Sequence, residues 1–207
     1  DDWWAPGHLR SAIDVLQANK QCAGTYSSFM ESYRPRSYGW FNQCYFLSWL
    51  ASECDYSLSV SLFDRSAVML GSLLNAGFHY STVVGRTEAM WHAYSSVLNT
   101  GNSFDNDRTF PVFLSERGSI GYLPLPEVFV RLHPQRDAFR PEYVKRGHMV
   151  LAQKMTRWLQ QHYPDQVAAA VAKFNKLAPK MSPEEAANIL AWLDACAYEP
   201  QRSTLVN

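Results

Sequence analysis

The 207 residues predict an α+β fold. Three observations carry this: helical periodicity in the first third, extended-looking segments grouped between residues 78 and 114, and three amphipathic helices after residue 140. The expected organisation is a core over residues 1–139 with a helical extension over 140–207 packed on it.

His8 to Lys20 reads as a helix, with Leu9, Ile13, Leu16 and Gln17 near one face. Arg34-Pro-Arg-Ser-Tyr-Gly39 breaks the pattern, and an apolar helix is expected from Trp40 to Ser52. Leu58, Leu62, Phe63, Val68, Met69, Leu70, Leu73 and Leu74 fit a helix from Cys54 to Asn75 closed by Gly77, while Tyr56 to Phe63 also alternates as a strand would. Phe78–Val84 and Ala89–Leu98, joined by Gly85-Arg86-Thr87-Glu88, read as an antiparallel hairpin. After the loop Asn99–Ser103, Phe104–Leu114 supplies a third strand of a mainly antiparallel sheet, and the glycines and prolines from Gly118 to Pro134 read as a long connector.

The end of the chain is helical. Pro141-Glu142 opens a helix in which Val144, His148, Leu151, Met155, Trp158 and Leu159 recur at helical spacing, and Tyr163-Pro164 ends it. Asp165–Leu177 is a second helix. Ser182-Pro-Glu-Glu185 is a capping box with Pro at the first helical position, opening a third helix through Ala195 whose apolar face is Ala186, Ile189, Leu190 and Leu193.

Lys+Arg and Asp+Glu balance at 19 each with no long run of one sign, so neither nucleic acid nor an anionic membrane is an expected partner. No stretch is apolar for long enough to span a bilayer, and Asp1-Asp2 does not begin a secretory signal. The chain is expected to be soluble and, lacking an initiator Met, to be a portion of something longer. Cys22, Cys44, Cys54 and Cys196 show no paired spacing and no accompanying His, which argues against structural zinc; their three possible disulfide pairings stay open. No metal or cofactor is called for.

Cys54, His92 and Asp107 stand in the order of a thiol nucleophile, its base and the orienter of that base. A thiol attacks as thiolate, so it needs an imidazole to hold its proton and gains from a helix N-terminus. A helix starting at Cys54 would supply that positive end, and its free amides would form an oxyanion hole. His92, read as mid-strand, would be aimed from a rigid position, with Asp107 on the neighbouring strand reaching its far nitrogen. Asp105 shares a face with Asp107 and competes for that role; Asp107 is preferred.

Ser52-Glu-Cys54-Asp-Tyr-Ser57, Leu73-Leu-Asn-Ala-Gly77, Trp91-His92-Ala-Tyr94 and Asp107 together resemble the transglutaminase-like branch of the papain-like cysteine enzymes, over about residues 50–110. The resemblance implies thiol acyl transfer on protein glutamine carboxamides, by deamidation or cross-linking, without a cofactor. It also implies a protein substrate and a place among bacterial effectors or toxins, secreted or delivered into a target cell.

Two other readings compete. Asn42-Gln-Cys44-Tyr-Phe-Leu-Ser-Trp-Leu50 looks like the cysteine box of papain-like peptidases, with His79 as partner, though Cys44 is more simply a small apolar residue within a helix. The third reading is a non-catalytic helical interaction or assembly domain, in which the aromatic first fifty residues and the terminal helices supply docking surfaces. In that case Cys54 has no chemical role and His92 is a hydrogen-bonded, half-buried side chain.

Overall fold

The computed structural model describes residues 2–32, 40–42, 60–74, 78–100, 106–131 and 148–197. The class is α+β, but the sheet is mixed. Its centre is a pair of long parallel strands, β2 (Cys22–Ser32) and β6 (Ser119–Arg131), in register from Cys22 opposite Ser119 to Ser32 opposite Arg131. Four short strands pair antiparallel with their outer edges. On β6 these are β1 (Trp3–Trp4), opposite Phe129 and Val128, and β4 (Ser61–Phe63), opposite Tyr122 to Ile120. On β2 they are β3 (Trp40–Asn42) near the end of the strand and β5 (Val84–Gly85) near its start.

The expected connector from Gly118 to Pro134 is therefore largely a strand. Pro124 and Pro126 suggested a loop because proline removes a ladder donor. Both fall between the partners of β4 and those of β1, where among the described residues no strand pairs with the outer edge of β6, and the register with β2 shifts there. Asp2 ties β1 down: its carboxylate accepts from the Ser81 hydroxyl and from the amide of Arg131 at 3.0 Å, while the Trp4 indole donates to the Ser81 carbonyl at 2.8 Å.

Alternation along β6 sends Ile120 and Tyr122 to one face and Gly121 and Leu123 to the other. The second face receives α1 (His8–Ala18), whose buried Ala12 and Val15 pack with Leu123. The first face carries the main core, where Tyr26, Phe63, Ile120 and Tyr122 meet Phe110 and Leu114.

Three further helices precede β6. α2 (Arg65–Leu73) begins at Asp64, whose carboxylate accepts from the Ala67 amide at 2.7 Å. That cap, with Ser61–Phe63 paired as a strand, shortens the helix expected from Cys54 to Asn75. α3 (Thr87–Asn99) replaces the second arm of the expected hairpin, and a 3-10 turn, Tyr80–Thr82, lies within the first. The physical reason is that α3 fully buries only Ala89 and Ala93, one turn apart, so the helical period is written largely in small residues while Trp91, Tyr94 and Leu98 face out. α4 (Asn106–Leu114) takes the place of the expected third strand and holds Pro111 in its interior. Without an N–H there, the carbonyl of Asp107 loses its usual helical donor.

α5 (His148–His162), α6 (Pro164–Leu177) and α7 (Pro183–Ala197) follow the expected helical pattern, with Pro164 and Pro183 in their first turns. Met69, Leu70 and Leu73 of α2, Val112 of α4, Met155 and Leu159 of α5, and Val167, Ala170 and Phe174 of α6 form a second core. α7 is held by the Trp192 indole, which donates to the Leu73 carbonyl at 3.0 Å, and by Gln153, which donates to the Ala195 carbonyl at 2.9 Å. Among the described residues no helix is long and apolar enough to cross a membrane. Of the helix expected over 40–52, only Trp40–Asn42 is described, and it is a strand; the chain from Pro141 to Arg146, expected to begin the first terminal helix, lies outside the described residues.

Candidate functional site

Of the three residues expected to carry thiol chemistry, Cys54 lies outside the described residues, as does Cys44. His92 is on α3 rather than on a strand, and Asp107 is in the first turn of α4, its side chain outside the described set, as is all of Asp105. The expected cross-strand approach of Asp107 to His92 therefore does not apply, because neither residue is on a strand.

The carboxylate that does reach His92 belongs to Glu116. This residue sits in the 3-10 turn Ser115–Arg117 that leads into β6. Glu116 Oε2 lies 2.8 Å from His92 Nε2, and Oε1 accepts from the Arg65 guanidinium at 3.1 Å. The Arg65 guanidinium also lies 5.5 Å from the centre of the Tyr163 ring. Burial, reinforced by the negative charge of Glu116, pushes the Tyr163 hydroxyl well above the usual phenol range, so it stays protonated. Arg117, next in the chain, donates to His92 Nδ1 at 3.0 Å.

These contacts fix what the ring can do. Arginine only donates, so Nδ1 carries no hydrogen and the neutral ring holds its proton on Nε2, facing Glu116. The Nδ1 lone pair, the one able to take a proton from a thiol, is occupied by Arg117. His79 is held in a related way: its Nδ1 accepts from the Ser81 amide at 3.3 Å, and its ring packs on Phe29 with centres 4.8 Å apart. A ring nitrogen that accepts from a backbone amide opposes formation of the imidazolium that a Cys44 thiolate would need.

The described free cysteine, Cys22, is buried, donates to the Gly24 carbonyl at 3.0 Å, and has its thiol pushed up by burial, which keeps it protonated. Among the described residues no three His, Cys, Asp or Glu side chains gather as metal ligands would.

Two features escaped the sequence reading. His8, at the start of α1, is fully buried; its Nδ1 lies 3.6 Å from Glu127 Oε2, and among the described residues neither ring nitrogen makes a hydrogen bond. The other is the outer face of α3, where Trp91 and Leu98 are 69% and 62% exposed, and Tyr94 stacks on Trp91 with ring centres 5.8 Å apart and planes 15° apart. The spacing i, i+3, i+7 was present in the sequence, but the segment was read with a period of two. No protein-family model and no curated protein matches this chain.

Proposed function

We propose that this chain is a non-catalytic interaction domain that docks a partner protein through the outer face of α3. The observation carrying this is the Trp91–Tyr94 stack with Leu98 beside it, exposed on a helix whose opposite side is well packed. Large aromatic side chains in a contiguous exposed row mark interaction surfaces more often than chance exposure does. The engagement of both ring nitrogens of His92 fits the same reading, since a histidine so held acts as a tie between elements. A photo-crosslinking p-benzoylphenylalanine at position 94 should give one discrete adduct in cells that make the protein, lost on Trp91→Ala. The same group at Lys176 on α6 should give none. Adducts of equal yield at both positions, or none at either, would remove the reading.

A second reading keeps thiol acyl transfer on protein glutamine, with Cys54 as nucleophile, His92 as base and Asp107 as orienter, and with delivery as an effector or toxin. The contact between Glu116 and His92 favours it, because a carboxylate on the far nitrogen is how such enzymes orient their base. On this reading Arg117 must swing off Nδ1 before a thiol can approach. A thiol-directed acylating probe at neutral pH should label wild type and Cys44→Ala but not Cys54→Ala, and glutamine-containing protein should release ammonia. Loss of that activity in Glu116→Gln but not Asp107→Asn would assign the orienting role to Glu116. Equal labelling of all variants would exclude Cys54, and dependence on Cys44 and His79 instead would favour the peptidase-like alternative.

A further inference from the structure

The outer face of α3 has a charged flank. Helical spacing puts Glu88, His92, Ser95 and Asn99 on one side of the row formed by Trp91, Tyr94 and Leu98. Arg117 rises on that side, bonded to His92. Its neighbour Glu116 has both oxygens committed, one to Arg65 and one to His92. Glu88, one turn before His92, makes no ion pair with Arg117 among the described residues. An exposed guanidinium whose hydrogen-bond partner is a neutral ring nitrogen thus borders an exposed aromatic row. Trp, Tyr and Arg are also the residue types that dominate the energetics of protein interfaces.

The charge decides between two occupants of this face. In a second copy docked by a two-fold axis through the middle of the row, antiparallel helices bring like flanks together. Taking Arg117 at the level of His92, the two guanidiniums would then be separated by roughly 7 to 8 Å along the helix axis, whereas each would be about 13 to 14 Å from the other copy's Glu88. Repulsion therefore outweighs attraction in that arrangement, and antiparallel self-pairing through this face is disfavoured. A helix from a different protein, apolar at i, i+3 or i+4, and i+7, with a carboxylate along one flank, would cover the aromatic row and give Arg117 a charged partner. We infer that α3 docks an acidic-flanked amphipathic helix of another protein, with Trp91 as the central anchor and Arg117 as the residue that selects the flank. This rests on the docking role proposed for α3 and adds the chemistry of the partner.

The test is a selection. A yeast-displayed library of amphipathic helices with a fixed apolar row and randomised flanks is sorted for binding to the whole chain, and the chain alone is run in sedimentation velocity. Selected helices should carry Asp or Glu on one flank and bind Trp91→Ala at least tenfold more weakly. They should weaken similarly against Arg117→Glu, and a Lys-flanked version of the same helix should recover binding to that variant. Leu98→Ala serves as a second, milder truncation on the same exposed row. Binders that depend on Trp91 but show no flank preference would overturn the acidic-partner inference while leaving α3 as a docking face. A self-associated chain made monomeric by Trp91→Ala would overturn it in favour of a second copy. If no selected helix depends on Trp91 the inference fails, and the crosslink at position 94 then reports separately on the docking reading.

Discussion

Arg117 donates to Nδ1 of His92 at 3.0 Å while Glu116 faces Nε2 at 2.8 Å, so this histidine is held by a cation on one side and an anion on the other. Because a guanidinium keeps its protons, the neutral ring must be the Nε2–H tautomer. Long-range proton–nitrogen spectra of the imidazole should show that tautomer in the wild type. Arg117→Ala should broaden or shift the Nδ1 resonance by removing its donor. A hydrogen found on Nδ1 in the wild type would contradict the arrangement.

Gly118 has a φ of 153°, and a Cβ there would lie 2.2 Å from the carbonyl oxygen of Gln21 and 3.1 Å from the Ala23 amide. These are backbone atoms at the entry of β2, where the parallel pairing with β6 begins, and they cannot rotate away. Gly118→Ala should cost more than about 2 kcal/mol in urea denaturation. Gly7→Ala should be nearly neutral, since its Cβ would meet Glu127 Oε1 at an ordinary 3.5 Å. Equal stability of the two variants would mean that the β2–β6 entry is misplaced.

These tests bear on how much was legible in the amino-acid pattern. α6 and α7 were readable because apolar residues recur at helical spacing and a proline marks each start, whereas α1 is a helix with a different buried side: Leu9 and Ile13, expected on its packed face, are exposed, and His8, Ala12, Val15 and Leu16 are buried. α3 was not, because its buried side is built from Ala89 and Ala93 while Trp91 and Tyr94 face out, which inverts the usual contrast. β6 was hidden by prolines placed where, among the described residues, no strand pairs with its outer edge. His92 was singled out as the base of a thiol enzyme, but the residues found bonded to it, Glu116 and Arg117, stand in a turn read as the approach to a connector. Nothing local in the sequence announces that this turn folds back over the helix.

Arg86 is a second cation held without a carboxylate among its described partners. Its guanidinium donates to the carbonyls of Leu16 and Asn19 at the end of α1 and, through Nε at 2.9 Å, to that of Cys22 at the start of β2. It thereby caps the negative end of α1 and fastens that helix to the sheet. Arg86→Met should lower stability by about 2 to 3 kcal/mol and speed hydrogen exchange at the Asn19 amide, which bonds to the Val15 carbonyl at 3.0 Å. Arg86→Lys should recover only part of this, because a single ammonium cannot span three carbonyls in a fixed fork. Full recovery by lysine would show that charge alone, and not the planar fork, holds α1.

His8 makes the stability of the fold depend on pH. Burial holds its imidazole below the ordinary value of 6.5, and the attraction of Glu127 offsets this only in part. Its position at the start of α1 adds the positive end of a helix, which also opposes protonation. The native ring therefore stays neutral at pH values where the unfolded chain already takes up a proton, so protons favour unfolding. The contribution is fully present above pH 6.5 and is lost as pH falls from there toward the lowered native value. Urea midpoints measured from pH 7.5 down to pH 5 should fall for the wild type. The fall should be shallower in His8→Phe, which keeps a ring against Trp4, 4.9 Å away in the wild type, and cannot titrate. Glu127→Gln should steepen the wild-type loss, because it removes the negative charge that favours the charged ring while leaving an acceptor for the Ser11 hydroxyl, which donates to Glu127 at 2.7 Å. A midpoint that does not change with pH, or that rises as pH falls, would mean that His8 is charged in the native protein and paired with Glu127.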